Sequence, residues 1–226
     1  MKYLFLLLFG IGSCFAAEDT GWIADQNGCK HFNSSPKQDE SVTWSGDCKE
    51  GFGSGAGELK WYKSGVLTQV LQVSLLEGKA NGKGKLTWAN GRIYEGGYVN
   101  GHMTGSGVKT WPNGDRYEGD FVDGRLEGQG QLSMATGSIY KGGFLNGKKD
   151  GYGVYYMNET GNTYEGMFKE SKANGKGALI IGTRQDDAGF RYEGNFIDNE
   201  LSGTGVIIYP NGHQVLCIFV HSQCRF

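Results

Sequence analysis

A period of 23 residues constrains this chain more than any other feature. Tyr94-Glu95-Gly96 recurs as Tyr117-Glu118-Gly119, Tyr140-Lys141-Gly142, Tyr164-Glu165-Gly166 and Tyr192-Glu193-Gly194. Eleven residues after each tyrosine stands Gly-x-Gly, at Gly105/Gly107, Gly128/Gly130, Gly151/Gly153, Gly175/Gly177 and Gly203/Gly205. The frame runs upstream in degenerate form, with Trp44 ahead of Gly55/Gly57 and Leu71 ahead of Gly82/Gly84. Units therefore start at 44, 71, 94, 117, 140, 164 and 192, with a partial unit from 215. The stretched intervals at Lys63–Gln69 and Thr183–Gly189 read as loop insertions. Units this short cannot bury a face alone, so neighbours must stack.

Each unit alternates with period two, which specifies strands. Tyr117, Gly119 and Phe121 share one face; Glu118 and Asp120 take the other. Asp123-Gly124 marks a turn, and the second strand returns Gly128, Gly130, Leu132 and Met134 to the apolar face. Asn90-Gly91, Asn113-Gly114 and Asn211-Gly212 then lead into the next unit, as the pair that supplies the positive backbone angles of a tight hairpin turn. The expected fold is all-β: an elongated, twisted or curved antiparallel meander of hairpins in a single open sheet. About fifteen strands spaced about 4.8 Å apart would span about 70 Å. The chain holds 40 glycines in 226 residues, against a usual share of about 7 %. On the aromatic face a glycine leaves room for a neighbouring ring to lie over the backbone.

Residues 1–16 read as a secretory signal: Lys2, an apolar run from Tyr3 to Ile11, and small residues around a cut after Ala16. The run is too short to span a bilayer as a helix. The alternative is a lipoprotein signal with Cys14 as the anchored residue. Residues 17–43 form an N-terminal cap segment and residues 44–226 the repeat domain. Export places the chain in the periplasm or outside the cell. Of five cysteines four remain once Cys14 leaves with the signal, and an even count in such a compartment suggests disulfides. Cys29, Cys48, Cys217 and Cys224 permit three pairings, of which the local ones, Cys29–Cys48 and Cys217–Cys224, are the most economical. No Cys-x-x-Cys or histidine spacing points to a metal, and no cofactor is expected.

Tyr-Glu-Gly-x-Phe, an Asn- or Asp-Gly turn and then Gly-x-Gly, repeated about every 23 residues, resembles the MORN repeat family. The strongest likeness runs from Tyr94 to Gly212. The resemblance implies a curved sheet of hairpins with an aromatic-lined groove. It also implies roles in scaffolding, self-association, protein contacts and, in some relatives, lipid association, without catalysis by the repeats themselves. Signal, cap and repeats together look similar to exported bacterial members.

Four sets of residues are candidates for function. The aromatic groove comprises Tyr94, Tyr98, Tyr117, Phe121, Tyr140, Phe144, Tyr164, Phe168, Tyr192 and Phe196, flanked by Trp88 and Trp111. It reads as a ladder on which a peptide, glycan or lipid stacks, or as a packed core, the commoner fate of such stripes. On the opposite face the second strands turn apolar from about Gly151, at Val154, Tyr156, Ala178, Ile180, Val206 and Ile208. Such a patch, if contiguous and exposed, is expected to be an interface, with dimerisation its simplest use. Lys79, Lys83, Lys148, Lys149, Lys172 and Lys176 fall near hairpin tips, where they would meet anionic headgroups or polymers. Glu95, Glu118, Glu165 and Glu193 form an acid ladder with one equivalent residue per unit, which fits a structural role better than paired-carboxylate chemistry.

A net charge of −2 excludes a generally basic nucleic-acid binder. No nucleophile constellation or phosphate loop is evident. Asn33-Ser34-Ser35 and Asn158-Glu159-Thr160 fit glycosylation acceptors. The expectation is a non-enzymatic scaffold in the cell envelope that binds a protein partner or itself. Lipid or envelope-glycan binding is the alternative.

Overall fold

The computed structural model describes residues 21–182 and 189–225. The signal, the first cap residues and most of the Thr183–Gly189 insertion lie outside the described residues. All regular elements of the described residues are strands. Four short ones come first: β1 (Trp22–Ala24), β2 (Lys30–Phe32), β3 (Glu40–Trp44) and β4 (Asp47–Lys49). The meander begins at β5 (Phe52–Lys63) and continues through β6 (Val66–Leu76), β7 (Lys79–Trp88), β8 (Ile93–Val99), β9 (His102–Thr110), β10 (Arg116–Val122) and β11 (Arg125–Ser133). It goes on through β12 (Ile139–Leu145), β13 (Lys148–Met157), β14 (Asn162–Lys169), β15 (Lys172–Ile180), β16 (Arg191–Ile197), β17 (Glu200–Ile208), β18 (Gln214–Val220) and β19 (Gln223–Arg225).

From β5 to β19 each strand pairs antiparallel with the next, as the alternation predicts. The cap is sheet too. β3 and β4 both pair with β5, and β2 meets it in parallel at Lys30–Phe52.

The repeat's glycines explain the register. Gly96 faces Gly107, Gly119 faces Gly130, Gly142 faces Gly153 and Gly166 faces Gly177 across adjacent strands. A tyrosine ring lies over each pair. A Cβ on Gly119 would sit 2.5 Å from the Tyr117 hydroxyl, and one on Gly130 2.4 Å from it. Just beyond each pair the register shifts, for example between Gly119 and Asp120. Such a bulge interrupts the ladder and leaves backbone groups needing partners. The tyrosine hydroxyls reach that point. Tyr94 donates to the Gly97 carbonyl (3.0 Å), Tyr117 to Asp120 (3.1 Å), Tyr140 to Gly143 (2.9 Å), Tyr164 to Met167 (2.9 Å) and Tyr192 to Asn195 (3.2 Å).

The rings interlock between units. Tyr94 meets Phe121, Tyr117 meets Phe144, Tyr140 meets Phe168, Tyr164 meets Phe196 and Tyr192 meets Phe219, edge to face at 4.8–5.0 Å. Each such contact is worth about 0.5–1.5 kcal/mol beyond the area it buries.

The turns differ from expectation in one respect. The two-residue turns with both angles positive lie inside the units, as at Asp123-Gly124 (φ 48° and 76°). Between units only the glycine of Asn90-Gly91 turns positive, and the loop is longer. Gly91 N–H donates to the Trp88 carbonyl, and the Asn90 side chain accepts the Arg92 N–H. Asparagine acts there through its side chain, bracing a type I turn that ends in a left-handed glycine.

Disulfides join Cys29 to Cys48 and Cys217 to Cys224, the local pairing. Replacing both Cys29 and Cys48 by serine is expected to cost roughly 3 kcal/mol, from the loop they close. Hydrogen exchange should show the loss confined to the cap and first strands. A second test separates the two glycines of Gly-x-Gly. Gly151 has φ +79° and open space around it, whereas a Cβ on Gly153 would meet the Tyr140 ring at 2.5 Å. Urea unfolding should find Gly151→Asn nearly neutral, because asparagine tolerates that angle. Gly153→Asn should cost at least about 3 kcal/mol.

Candidate interaction surface

The aromatic set is the core of the protein rather than an open groove. Tyr94, Tyr98, Tyr117, Phe121, Tyr140, Phe144, Tyr164, Phe168, Tyr192 and Phe196 are all 5 % exposed or less. They close over the paired glycines and against one another, so no face of the ladder is left for a ligand to stack on. Trp88 and Trp111 are half-buried at its margin. The Lys109 ammonium lies between their indoles (5.8 and 5.5 Å from the centroids), and the Arg92 guanidinium lies 5.1 Å from Trp88. Burial there pushes the Lys109 pKa below the usual lysine range, with the neighbouring Arg92 charge adding to the effect.

The open concavity is on the reverse face. One depression of about 830 Å³ is floored by Gly84, Gly96, Gly107 and Gly119 and walled by Lys83, Lys85, Glu95, Ser106, Val108 and Glu118. A second shares Glu118 and Gly119 with it and continues to Lys141 and Gly142. A third, of about 570 Å³, uses the same rows in the later units, with Tyr152, Glu165, Lys176, Ala178, Glu193 and Val206. The trough follows from the pleat: inward-pointing rows leave bare backbone between two rows of outward side chains.

The acid ladder lines this trough. Each acid is engaged within its neighbourhood: Glu95 with Lys85 (2.7 Å), Glu118 with Arg116 (2.8 Å), Glu193 with Arg191 (2.5 Å) and Glu165 with the Tyr152 hydroxyl.

The late apolar positions share the face but do not form the contiguous patch expected. Val154 pairs with Lys141 and Glu165, Ala178 with Glu165 and Glu193, Ile180 with Thr163 and Arg191, and Ile208 with Arg191 and Gln214. First strands of each unit thus interleave polar residues between them. Tyr156 is 36 % exposed, and Ala178 is buried. Tyr156 and Val206 alone continue into further apolar surface, through their partners Ile139 and Leu216.

The lysines do not form a cationic tip patch either. Lys148 pairs with Glu170, and Lys172 with Asp198 (3.5 Å). Lys79 lies over Trp22 and Phe32. Lys149 is on the ring face, 4.0 Å from the Tyr155 centroid and near Tyr140 and Phe168; burial lowers its pKa. Adjacent lysines alternate faces in a strand, which a count of charges near a tip does not register. Lys83 and Lys176 line the trough.

Two features were not drawn from the sequence. The first is an exposed apolar row five residues after the unit starts: Leu76, Val99, Val122, Leu145, Ile197 and Val220. It stands on the trough face, just before each hairpin tip, and aligning the units by their tyrosines would have shown it. The second lies in the cap. His31 is buried, with Nε2 3.3 Å from Asp25, whose other oxygen accepts the Asn27 and Cys29 N–H groups. Burial pulls the His31 pKa below its usual value, against the opposing pull of Asp25.

The MORN repeat model matches six stretches, residues 75–91, 94–116, 117–139, 140–158, 164–180 and 192–214. Together they cover more than half of the chain. The chain belongs to the MORN repeat family. Five of its matches begin at the unit starts read from the tyrosines, and the first takes in the second half of the unit from 71. Among solved structures, the MORN chain is similar to the TCP domain of SAS-4 (dCPAP) of Drosophila melanogaster, solved in complex with a proline-rich motif of Ana2 (dSTIL). Identity there is 14 % and the TM-score 0.40, over 70 % of this chain and 82 % of that one. It is also similar to the TCP10 domain of Danio rerio CPAP, at 15 % identity and TM-score 0.28, over 79 % and 89 % of the two chains. No curated protein matches it.

Burial raises the pKa of the MORN tyrosines Tyr94, Tyr117, Tyr140 and Tyr164 from 10.0 to about 12. Their stabilising contribution is whole below the unfolded value and is lost as pH rises toward the folded one. Unfolding between about pH 10 and 12 is the expected outcome. The phenolate signal of these four rings should rise together with loss of the near-ultraviolet circular dichroism. Ionisation of Tyr94, Tyr117, Tyr140 and Tyr164 at pH 10 in a folded chain would contradict their burial.

Proposed function

We propose that this MORN protein is a non-catalytic scaffold, exported to the cell envelope, which holds an extended protein partner or a second copy along the trough. MORN repeats are generally protein- or membrane-interaction modules. The single observation that carries the protein reading is the constant register of the trough face. The units from 71 to 192 offer backbone floor and polar wall positions, and six units carry an exposed apolar residue near the tip. A partner running along the sheet would meet the same contacts at each step, as expected for a surface built from stacked repeats. The acids, although paired, give the wall groups that accept hydrogen bonds from a partner backbone or from basic side chains.

Export is supported by the leader-like composition of residues 1–16 and by two disulfides, which persist in oxidising compartments. The lipid or glycan alternative requires accessible rings and free tip lysines. The buried ladder and the Lys148 and Lys172 ion pairs weigh against it.

A photo-crosslinker placed at Ser106 or Gln129 in the trough is expected to trap one discrete protein product in intact cells, and one placed at Lys109 on the ring face is not. Changing Glu118, Glu165 and Glu193 together to lysine should abolish that product with the fold unchanged by circular dichroism. Flotation of the mature protein with anionic vesicles, lost at high salt, would overturn the reading in favour of a membrane-surface module.

A further inference from the structure

The hairpin of β1 and β2 is docked on the start of the meander by two main-chain bonds. The Lys30 N–H donates to the Gly51 carbonyl and the Phe32 N–H to the Gly78 carbonyl, both at 2.9 Å. The Cys29–Cys48 disulfide ties the hairpin to β4, and the Trp22 ring meets Phe52. His31 stands between the two bonded residues. It is 1 % exposed and lies 6.0 Å from the Trp44 ring, and a Cβ on Gly53 would sit 2.7 Å from its Nδ1. An ionisable group thus occupies a core position at the seam between cap and repeats.

That seam suits the neutral imidazole. Nε2 lies 3.3 Å from the buried Asp25 carboxylate, and Nδ1 is buried with no hydrogen-bond partner among the described residues. With Nε2–H donating to Asp25, Nδ1 carries a lone pair. Proton uptake there creates a buried N–H without an acceptor and a buried charge, both unfavourable. Asp25 opposes this with one charge, while its other oxygen accepts the Asn27 and Cys29 N–H groups. The remaining charged groups of the cap are engaged elsewhere. Lys30 lies over Phe52, Lys79 over Trp22 and Phe32, and Glu40 accepts from the Asn33 amide and the Lys37 N–H. His102, 5.9 Å from the Phe32 ring, faces Asp123 at 3.3 Å, so its protonation tightens an exposed pair. For His31 burial outweighs the pull of Asp25 and holds the pKa below its usual value of 6.5. The docking that His31 supports is therefore whole above the unfolded value and is lost as pH falls through the folded one.

We propose that His31 is an acid-operated latch, whose protonation releases the β1–β2 hairpin from the start of the meander while Cys29–Cys48 keeps it tethered and the repeats stay folded. Release frees the Gly51 and Gly78 carbonyls and uncovers Gly53 on β5. The latch does not depend on the scaffold reading.

Amide hydrogen exchange of the mature protein at about pH 7.5 and about pH 5, corrected for intrinsic rates, tests it. Protection of the Lys30 and Phe32 amides is expected to fall about tenfold or more at the lower pH. The Gly124 and Gly147 amides, bonded to the Met103 and Leu126 carbonyls between repeats, should keep theirs. His31→Gln retains a donor for Asp25 and does not titrate, so its Lys30 and Phe32 protection should be the same at both values. His102→Gln should leave the fall in place. In the native protein the His31 ring resonances should titrate with the midpoint of the Phe32 loss, a measurement that decides the matter even if His31→Gln fails to dock its cap. Protection that stays constant with pH overturns the proposal. So does a fall that persists in a docked His31→Gln, or a His31 ring that takes up its proton while the hairpin stays protected.

Discussion

The structure depends on one contact repeated five times: a tyrosine ring laid across two facing glycines, with its hydroxyl donating to a carbonyl at the bulge beyond them. Each part requires the others. Without the glycines the ring has no seat, since either Cβ would overlap it. Without the bulge the hydroxyl would have no carbonyl in need of a donor. Without the ring, a glycine-rich strand pair would be a poor sheet, low in propensity and with nothing to bury. The contact thus turns the least strand-like residue into the one that fixes register. It also makes the core one ring thick: the phenylalanine of the next unit completes each seat, so cohesion passes from neighbour to neighbour along the sheet.

That economy assigns the two faces. A single sheet has no second layer, so one face must serve as its own core, and the rings close it. The other face is then free of packing duty. It carries the acid ladder, the trough and the apolar row at hairpin tips. Charged and apolar positions alternate there because consecutive strands belong to different halves of the hairpin. This is why Val154, Ala178 and Ile208 sit among Lys141, Glu165, Glu193 and Arg191 and do not merge. A partner suited to this face is long and mixed in character, rather than a compact hydrophobic one.

The repeat frame, strand alternation, the meander, the glycine–ring relation and the local disulfides were legible in the sequence, because each is a one-dimensional pattern with a direct physical cause. What was not legible depends on relations across strands. The ring ladder could be read as a groove because period two gives a side chain's face but not how tightly the next unit closes on it. Lys149 resembled a tip charge until its register with Phe144 put it over Tyr155. The Asn-Gly pairs between units were right as turns, but the asparagine's role needed the Arg92 contact to be seen. The His31–Asp25 pair joins two cap residues of no special spacing, and only burial makes them notable.

The ends of such a sheet pose the remaining problem, since each inner unit relies on two neighbours and a terminal unit has one. At the C-terminus the answer is brief: Phe219 completes the seat of Tyr192, and the disulfide ties β18 to the short β19. At the N-terminus it is more elaborate. The ladder proper stops at Tyr94 and Tyr98, and leucines and valines take over at Leu71, Val73 and Leu75. Aliphatic residues cannot interlock edge to face, so the cap brings fresh rings, Trp22 and Phe32, beside Trp44 of the first unit, and a disulfide to hold them. The chain therefore changes its packing chemistry between the cap and the first full repeat. The one buried hydroxyl left without a partner on the ladder falls at that junction, where neither rule of packing applies on both sides.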